Sequence, residues 1–178
     1  MRTPALILCS IAASFVLAAA AGAAEPNAGT LSVERGRGVV MVDLRGSVLG
    51  RLTNGSLRVT DQTPNDRYTA LVVGKKMAQE RLGPRTVIYR GLGLRFRMLG
   101  GGYRMVMRGS GIALSAVGRG TVVLDAEPRF PGDDVGIYSL DGTDCSIEPQ
   151  NCLPLPADPE RSTLEPPPET VPTPRLGS

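Results

Sequence analysis

Gly91-Leu-Gly-Leu-Arg-Phe-Arg-Met-Leu-Gly-Gly-Gly-Tyr-Arg-Met-Val-Met-Arg-Gly-Ser-Gly111 sets two alternating runs on either side of a triple glycine. In the first, Leu94, Phe96 and Met98 alternate with Arg95 and Arg97; in the second, Tyr103, Met105 and Met107 stand against Arg104 and Arg108. A period of two sends successive side chains to opposite faces of a strand, so each run has an apolar and a basic face. The simplest path for this stretch is a hairpin turning at Gly100, Gly101 and Gly102. Arg95, Arg97, Arg104 and Arg108 would then project from one sheet face, with Arg90 nearby.

Working outward, the body from 29 to 142 reads as short β-prone runs punctuated by glycine, the pattern of an all-β domain. Asn54-Gly55 predicts a second hairpin, with arms Val48 to Thr53 and Ser56 to Thr60, because a type I′ turn needs positive φ at both central residues. Lys75 to Leu82 is the one helix-like stretch; it follows Gly74, stops at Gly83-Pro84 and reads as a loop with one helical turn. Gly36-Arg-Gly-Val-Val-Met-Val-Asp-Leu-Arg-Gly46-Ser47 is echoed by Gly100-Gly-Gly-Tyr-Arg-Met-Val-Met-Arg-Gly109-Ser110. Gly55-Ser-Leu-Arg-Val-Thr-Asp61 and Gly120-Thr-Val-Val-Leu-Asp125 follow as matching endings. The expectation is about ten short strands with an internal duplication, packed as a sandwich, with a short irregular solenoid or a barrel as alternatives. Glycine-bounded hairpins also look alike without any duplication.

Tyr89-Arg-Gly91, Leu94-Arg-Phe-Arg97, Gly101-Gly-Tyr-Arg104, Arg108-Gly-Ser-Gly-Ile112 and Leu114-Ser-Ala-Val-Gly-Arg-Gly-Thr121 together resemble a group of exported β-rich proteins from high-GC Gram-positive bacteria. The resemblance covers roughly 29 to 142. It implies a β domain and export; the group has no assigned activity, so no catalytic residue is carried across.

The ends of the chain point the same way. Arg2 precedes an uncharged run from Ala5 to Ala21, and small residues at Ala21, Gly22, Ala23 and Ala24 lead into Glu25 and Pro26. This is the three-part pattern of a secretion signal over 1–24, cut after Ala23 or Ala24, with an uncleaved membrane anchor as the alternative. Cys9 would leave with it. Cys145 and Cys152 remain, and export favours a disulfide between them over a metal site that would have no histidine to call upon. That places a disulfide loop at 143–153. Prolines 154, 156, 159, 166, 167, 168, 172 and 174, interleaved with acids, predict a disordered tail over 154–178. The mature protein is expected to be secreted or envelope-associated, with no transmembrane domain after cleavage.

Charge is segregated. Residues 31–110 carry fifteen Arg and Lys against five acids, whereas from 111 onward four Arg face eleven acids. With 0 His and 0 Trp, Ser-His-Asp and Cys-His chemistry and histidine-ligated metals are closed off. Ser115 lacks the glycines of a nucleophile elbow, and the glycine pairs are followed by strands where a phosphate loop needs a helix. Enzymatic activity is therefore not expected, and neither is a cofactor. Carboxylates are the remaining catalytic option: Asp61 and Asp125 end equivalent strands and are the best pair for a glycan-cleaving enzyme. Asp133, Asp134, Asp141 and Asp144 could offer oxygen ligands to calcium, though Asp141-Gly142 is more simply a turn. A small barrel carrying an apolar ligand is a third reading. The leading expectation is a non-enzymatic exported domain that binds or scaffolds in the cell envelope. Arg90, Arg95, Arg97, Arg104 and Arg108 would contact anionic polymers or lipid, and nucleic acid is not an expected partner. The oligomeric state is left open by the sequence.

Overall fold

Two strands of unusual length organise the protein. In the computed structural model, which describes residues 28–165, β1 spans Gly29–Asp61 (33 residues) and β4 spans Gly102–Ala126 (25 residues). Between them lie β2 (Leu71–Arg81) and β3 (Thr86–Met98), and after them β5 (Ile137–Ser139), β6 (Leu153–Pro154) and β7 (Glu160–Leu164). All belong to one antiparallel sheet of seven strands, in the order β2-β3-β1-β4-β7, with β5 joined to β1 and β6 to β5; the sheet is not closed into a barrel.

β4 pairs with both edges of β1. One ladder runs from Gly38 opposite Ala126 to Asp61 opposite Tyr103; the other runs from Gly29 opposite Gly118 to Arg45 opposite Gly102. Val42 therefore has Met105 on one side and Val122 on the other. The sequence-similar segments pair with each other, Val39–Arg45 against 102–108, and their endings pair reciprocally, 55–61 with 103–109 and 120–125 with 39–44.

The core requires the sheet to fold over itself, and glycines supply the corner. Inward-facing residues run Leu31 and Val33, then Val40, Val42, Leu44, Val48 and Leu52, then Leu57 and Val59. The inward parity thus switches twice along β1, at Gly36–Gly38 and again at Asn54-Gly55. In β4 it switches once, from Tyr103, Met105 and Met107 to Ile112, Leu114 and Ala116, at Gly109–Gly111. Because a one-residue slip exchanges the two faces of a strand, each switch turns the chain while keeping apolar side chains inside. The switch points are in register: Gly38 lies opposite Gly109, Gly109 opposite Gly55, and Gly55 opposite Gly91. Gly55 and Gly109 have φ of 143° and 145°, and a Cβ on either would overlap the carbonyl oxygen of the other strand, that of Arg108 or of Asn54. Both halves of the sheet then contribute to a single apolar cluster that includes Leu31, Val42, Leu57, Leu94, Met105 and Ile112.

Four sequence expectations are corrected by this arrangement. The Gly100–Gly102 hairpin does not form: β3 and β4 do not pair but lie end to end along one edge of β1, with Met98 opposite Val48 and Gly102 opposite Arg45. Asn54-Gly55 is not a hairpin turn either; it lies within β1, between partners on both sides. Lys75 to Leu82 is not a loop with a helical turn, since all but its last residue belong to β2. The strand count is seven instead of about ten, because glycines such as Gly55 and Gly109 bend a strand without breaking its ladder.

β2 is an edge strand, exposed along nearly its whole length. Its register with β3 slips around Lys75 to Ala78, where Lys76 has φ of 47°. A bulge and two lysines on an open edge are devices that discourage pairing with another strand.

The C-terminal part is ordered further than predicted. Residues 160–164 pair with 120–124 of β4, and Leu155 and Leu164 are buried, so the stretch 154–164 belongs to the domain and not to a disordered tail. The remainder of that tail, from 166, and the expected secretion signal lie outside the described residues. Cys145 and Cys152 are bridged, with Cα atoms 5.9 Å apart. Cys145 is buried, and its backbone N–H donates to Ser32 Oγ at 3.0 Å, which ties the loop to the start of β1. In the chain-entropy account, closing so short a loop stabilises by roughly 2 to 2.5 kcal/mol. Replacing both cysteines by serine is expected to lower the unfolding free energy in urea by about that much; a change near zero would mean that the loop is equally ordered without the bridge.

Candidate functional site

The predicted arginines are all on the outer surface, but they do not form one stripe. Without the β3–β4 hairpin, the corner at Gly91 and Gly109 separates them into groups on the two halves of the folded sheet. On one half, Arg95 is directly opposite Arg51, and Arg97, opposite Leu49, is diagonal to Arg51. On the other, Arg58 faces Val106 and is therefore diagonal to both Arg104 and Arg108. Directly opposite side chains begin about 5 Å apart and diagonal ones about 7 Å, so each group is a compact basic triad. Arg90 is opposite Ser56, beside the corner and apart from Arg95 and Arg97.

Arg51 and Arg58 complete the triads and are absent from the sequence-based set. Their signal was available, since each sits in an alternating run, but only the pairing register brings them to their partners.

Internal ion pairs divide the arginines further. Arg104 Nη2 lies 2.7 Å from Asp43 Oδ2, with Nε also donating to that oxygen at 2.8 Å. Arg90 is 2.6 Å from Glu80, and Arg51 is 3.4 Å from Glu34. Arg35 and Arg37 reach Asp134 and Asp133, linking the basic body to its acidic C-terminal part. Among the described residues Arg58, Arg95, Arg97 and Arg108 have no carboxylate partner.

The other candidate groups do not assemble into sites. Asp125 is opposite Val39, Val39 opposite Arg108 and Arg108 opposite Ser56, five residues before Asp61. Three strand spacings across and five residues along put Asp61 and Asp125 on the order of 20 Å apart, beyond the roughly 5 to 10 Å that a glycosidase pair requires. The glycan-cleaving reading loses its residues. The four aspartates considered for calcium are each engaged locally: Asp133 with Arg37 and the Arg129 and Phe130 N–H groups, Asp134 with Arg35 and the Gly136 N–H. Asp144 caps the Ser146 turn. Asp141 accepts from the Ser139 hydroxyl and the Thr143 N–H, and these bonds hold its carboxyl down at about 2. Among the described residues no three such ligands cluster.

A carboxyl held below its ordinary range favours the folded turn above that range, and the preference is lost as pH falls through the lowered value. An NMR titration should therefore show Asp141 ionising with a midpoint near 2, and Ser139→Ala should move it back toward the ordinary aspartate value. A wild-type midpoint at that ordinary value would contradict the turn geometry.

Two surface grooves flank Arg129. One, of about 460 Å³, is lined mainly by apolar side chains such as Phe130, Val135 and Leu155. The other, of about 370 Å³, lies over the glycine corner between Arg37, Asn54, Ser110, Glu127 and Arg129. Glu127 is the only carboxylate lining the second, so it offers no acid and base pair.

No family model, curated protein or solved structure matches the chain. Among the described residues no helix is long and apolar enough to cross a membrane, a statement that does not bear on crossing by strands.

Proposed function

We propose that this is a non-enzymatic exported binding domain of the cell envelope that contacts polyanions through its outward arginines, as the signal-like N-terminus and the resemblance to exported β-rich proteins suggest. The observation that carries the reading is the placement of Arg51 directly opposite Arg95 with Arg97 on the diagonal. Like charges facing each other across a ladder cost stability, and a bridging anion removes that cost. Glu34 offsets it only in part, through a single 3.4 Å contact to Arg51. Arg58 and Arg108, related by a diagonal and not directly opposed, form a second and wider pair.

Guanidinium forks pair with phosphate or carboxylate through two parallel hydrogen bonds, and the bound polymer releases its counterions. Titration of the mature protein with soluble polyglycerol phosphate across a salt series tests this. Affinity should fall steeply as salt rises; weak binding that ignores salt removes the reading.

A further inference from the structure

The Arg51 triad does not stand on a polar surface. Two neighbouring rows cross its half of the sheet: Leu71, Arg97 and Leu49 in one, Val73, Arg95 and Arg51 in the next. Directly opposed residues share a face, so all six side chains point outward together. Leu49 is 49%, Leu71 53% and Val73 51% exposed, and the rows continue into Ser115 and Ala113; Glu34 reaches this face only at Arg51, at 3.4 Å, and leaves Arg95 and Arg97 without a carboxylate partner among the described residues. Aliphatic and guanidinium groups therefore alternate on one surface, which runs out to the edge strand β2 and so reaches the rim of the molecule.

We propose that this face docks on an anionic lipid surface. The inference rests on the polyanion reading and narrows it. A soluble polyanion would satisfy the three guanidiniums and leave Leu49, Leu71 and Val73 in water. An anionic bilayer satisfies both sets, with phosphates at the arginines and the aliphatic side chains at the acyl boundary just beneath. The other triad is less suited: Val106 and Met41 adjoin Arg58, but Asp43 lies in the next row and holds Arg104, and Ser56 and Thr60 are polar.

The test compares sedimentation of the protein with vesicles of phosphatidylcholine alone and with vesicles containing phosphatidylglycerol. Soluble polyglycerol phosphate binding is measured in parallel. Wild type should favour the anionic vesicles, and Leu49→Ser with Leu71→Ser should weaken that binding about tenfold while leaving polymer binding unchanged. Both leucines are exposed, so the pair should keep its wild-type melting temperature. Because the chain has 0 Trp, Leu49→Trp supplies a single emission probe: it should shift to the blue on anionic vesicles and stay unshifted with the polymer. Polymer binding without vesicle binding, or vesicle binding indifferent to the leucines, overturns the lipid inference and leaves the polyanion reading standing. Failure to bind either overturns both.

Discussion

Gly109→Ala and Gly55→Ala are each expected to abolish the native fold or to cost more than about 4 kcal/mol, a large fraction of the stability of an ordinary domain. The added methyl meets a backbone carbonyl: that of Asn54 for position 109 and that of Arg108 for position 55. No rotamer change relieves such a contact, and the opposing Cα also lies 2.9 Å from either Cβ position. Both residues further hold a φ that an L side chain resists. The strands would have to separate at the corner where the two ladders of β4 meet β1, and the core depends on that corner. Gly83→Ala isolates the conformational part of the effect, because Gly83 has φ of 120° and nothing within 4 Å of a Cβ. It should cost only about 1 to 2 kcal/mol. Urea denaturation of the three variants decides the matter; equal losses at all three positions would mean that close approach of the strands is not what these glycines serve.

Reversing Arg95 and Arg97 together, to Glu, should reduce affinity for polyglycerol phosphate about a hundredfold at low salt, and should lower the slope of log affinity against log salt by about 2. Both side chains are exposed and without carboxylate partners among the described residues, so the fold should tolerate the change. Relief of the Arg51–Arg95 repulsion should also raise stability slightly, but affinity alone decides the test. Arg104→Gln should alter binding little, because the Arg104 guanidinium is held by Asp43. The pair Arg58→Glu and Arg108→Glu measures the second triad on the same scale. Unchanged binding in both double variants would remove the polyanion reading.

Much of the inside and outside of the molecule was legible from alternation. Leu94, Phe96 and Met98, and Tyr103, Met105 and Met107, are buried, while the arginines between them are exposed. Partner choice was not legible. A triple glycine suits a tight turn and a kink equally well, and local geometry cannot say that β1 will lie between the two runs. Asn54-Gly55 misled for a related reason: positive φ at Gly55 serves a close crossing of strands as readily as a hairpin turn. The candidate site divides along the same line. Exposure of Arg95, Arg97, Arg104 and Arg108 could be read from the pattern, whereas their neighbours could not.

The residue pattern by itself determined the all-β class and the apolar faces of 94–98 and 103–107, and it favoured the Cys145–Cys152 bridge that the structure contains, because these depend on a spacing of two, on composition and on two thiols seven residues apart. Tertiary structure alone decided that β3 and β4 share one edge of β1, that glycines align across strands into a corner, and that the arginines divide into two triads. Register is the physical reason. It is a property of two chain segments at once, set by how apolar faces meet across the fold, and no single run of residues contains it.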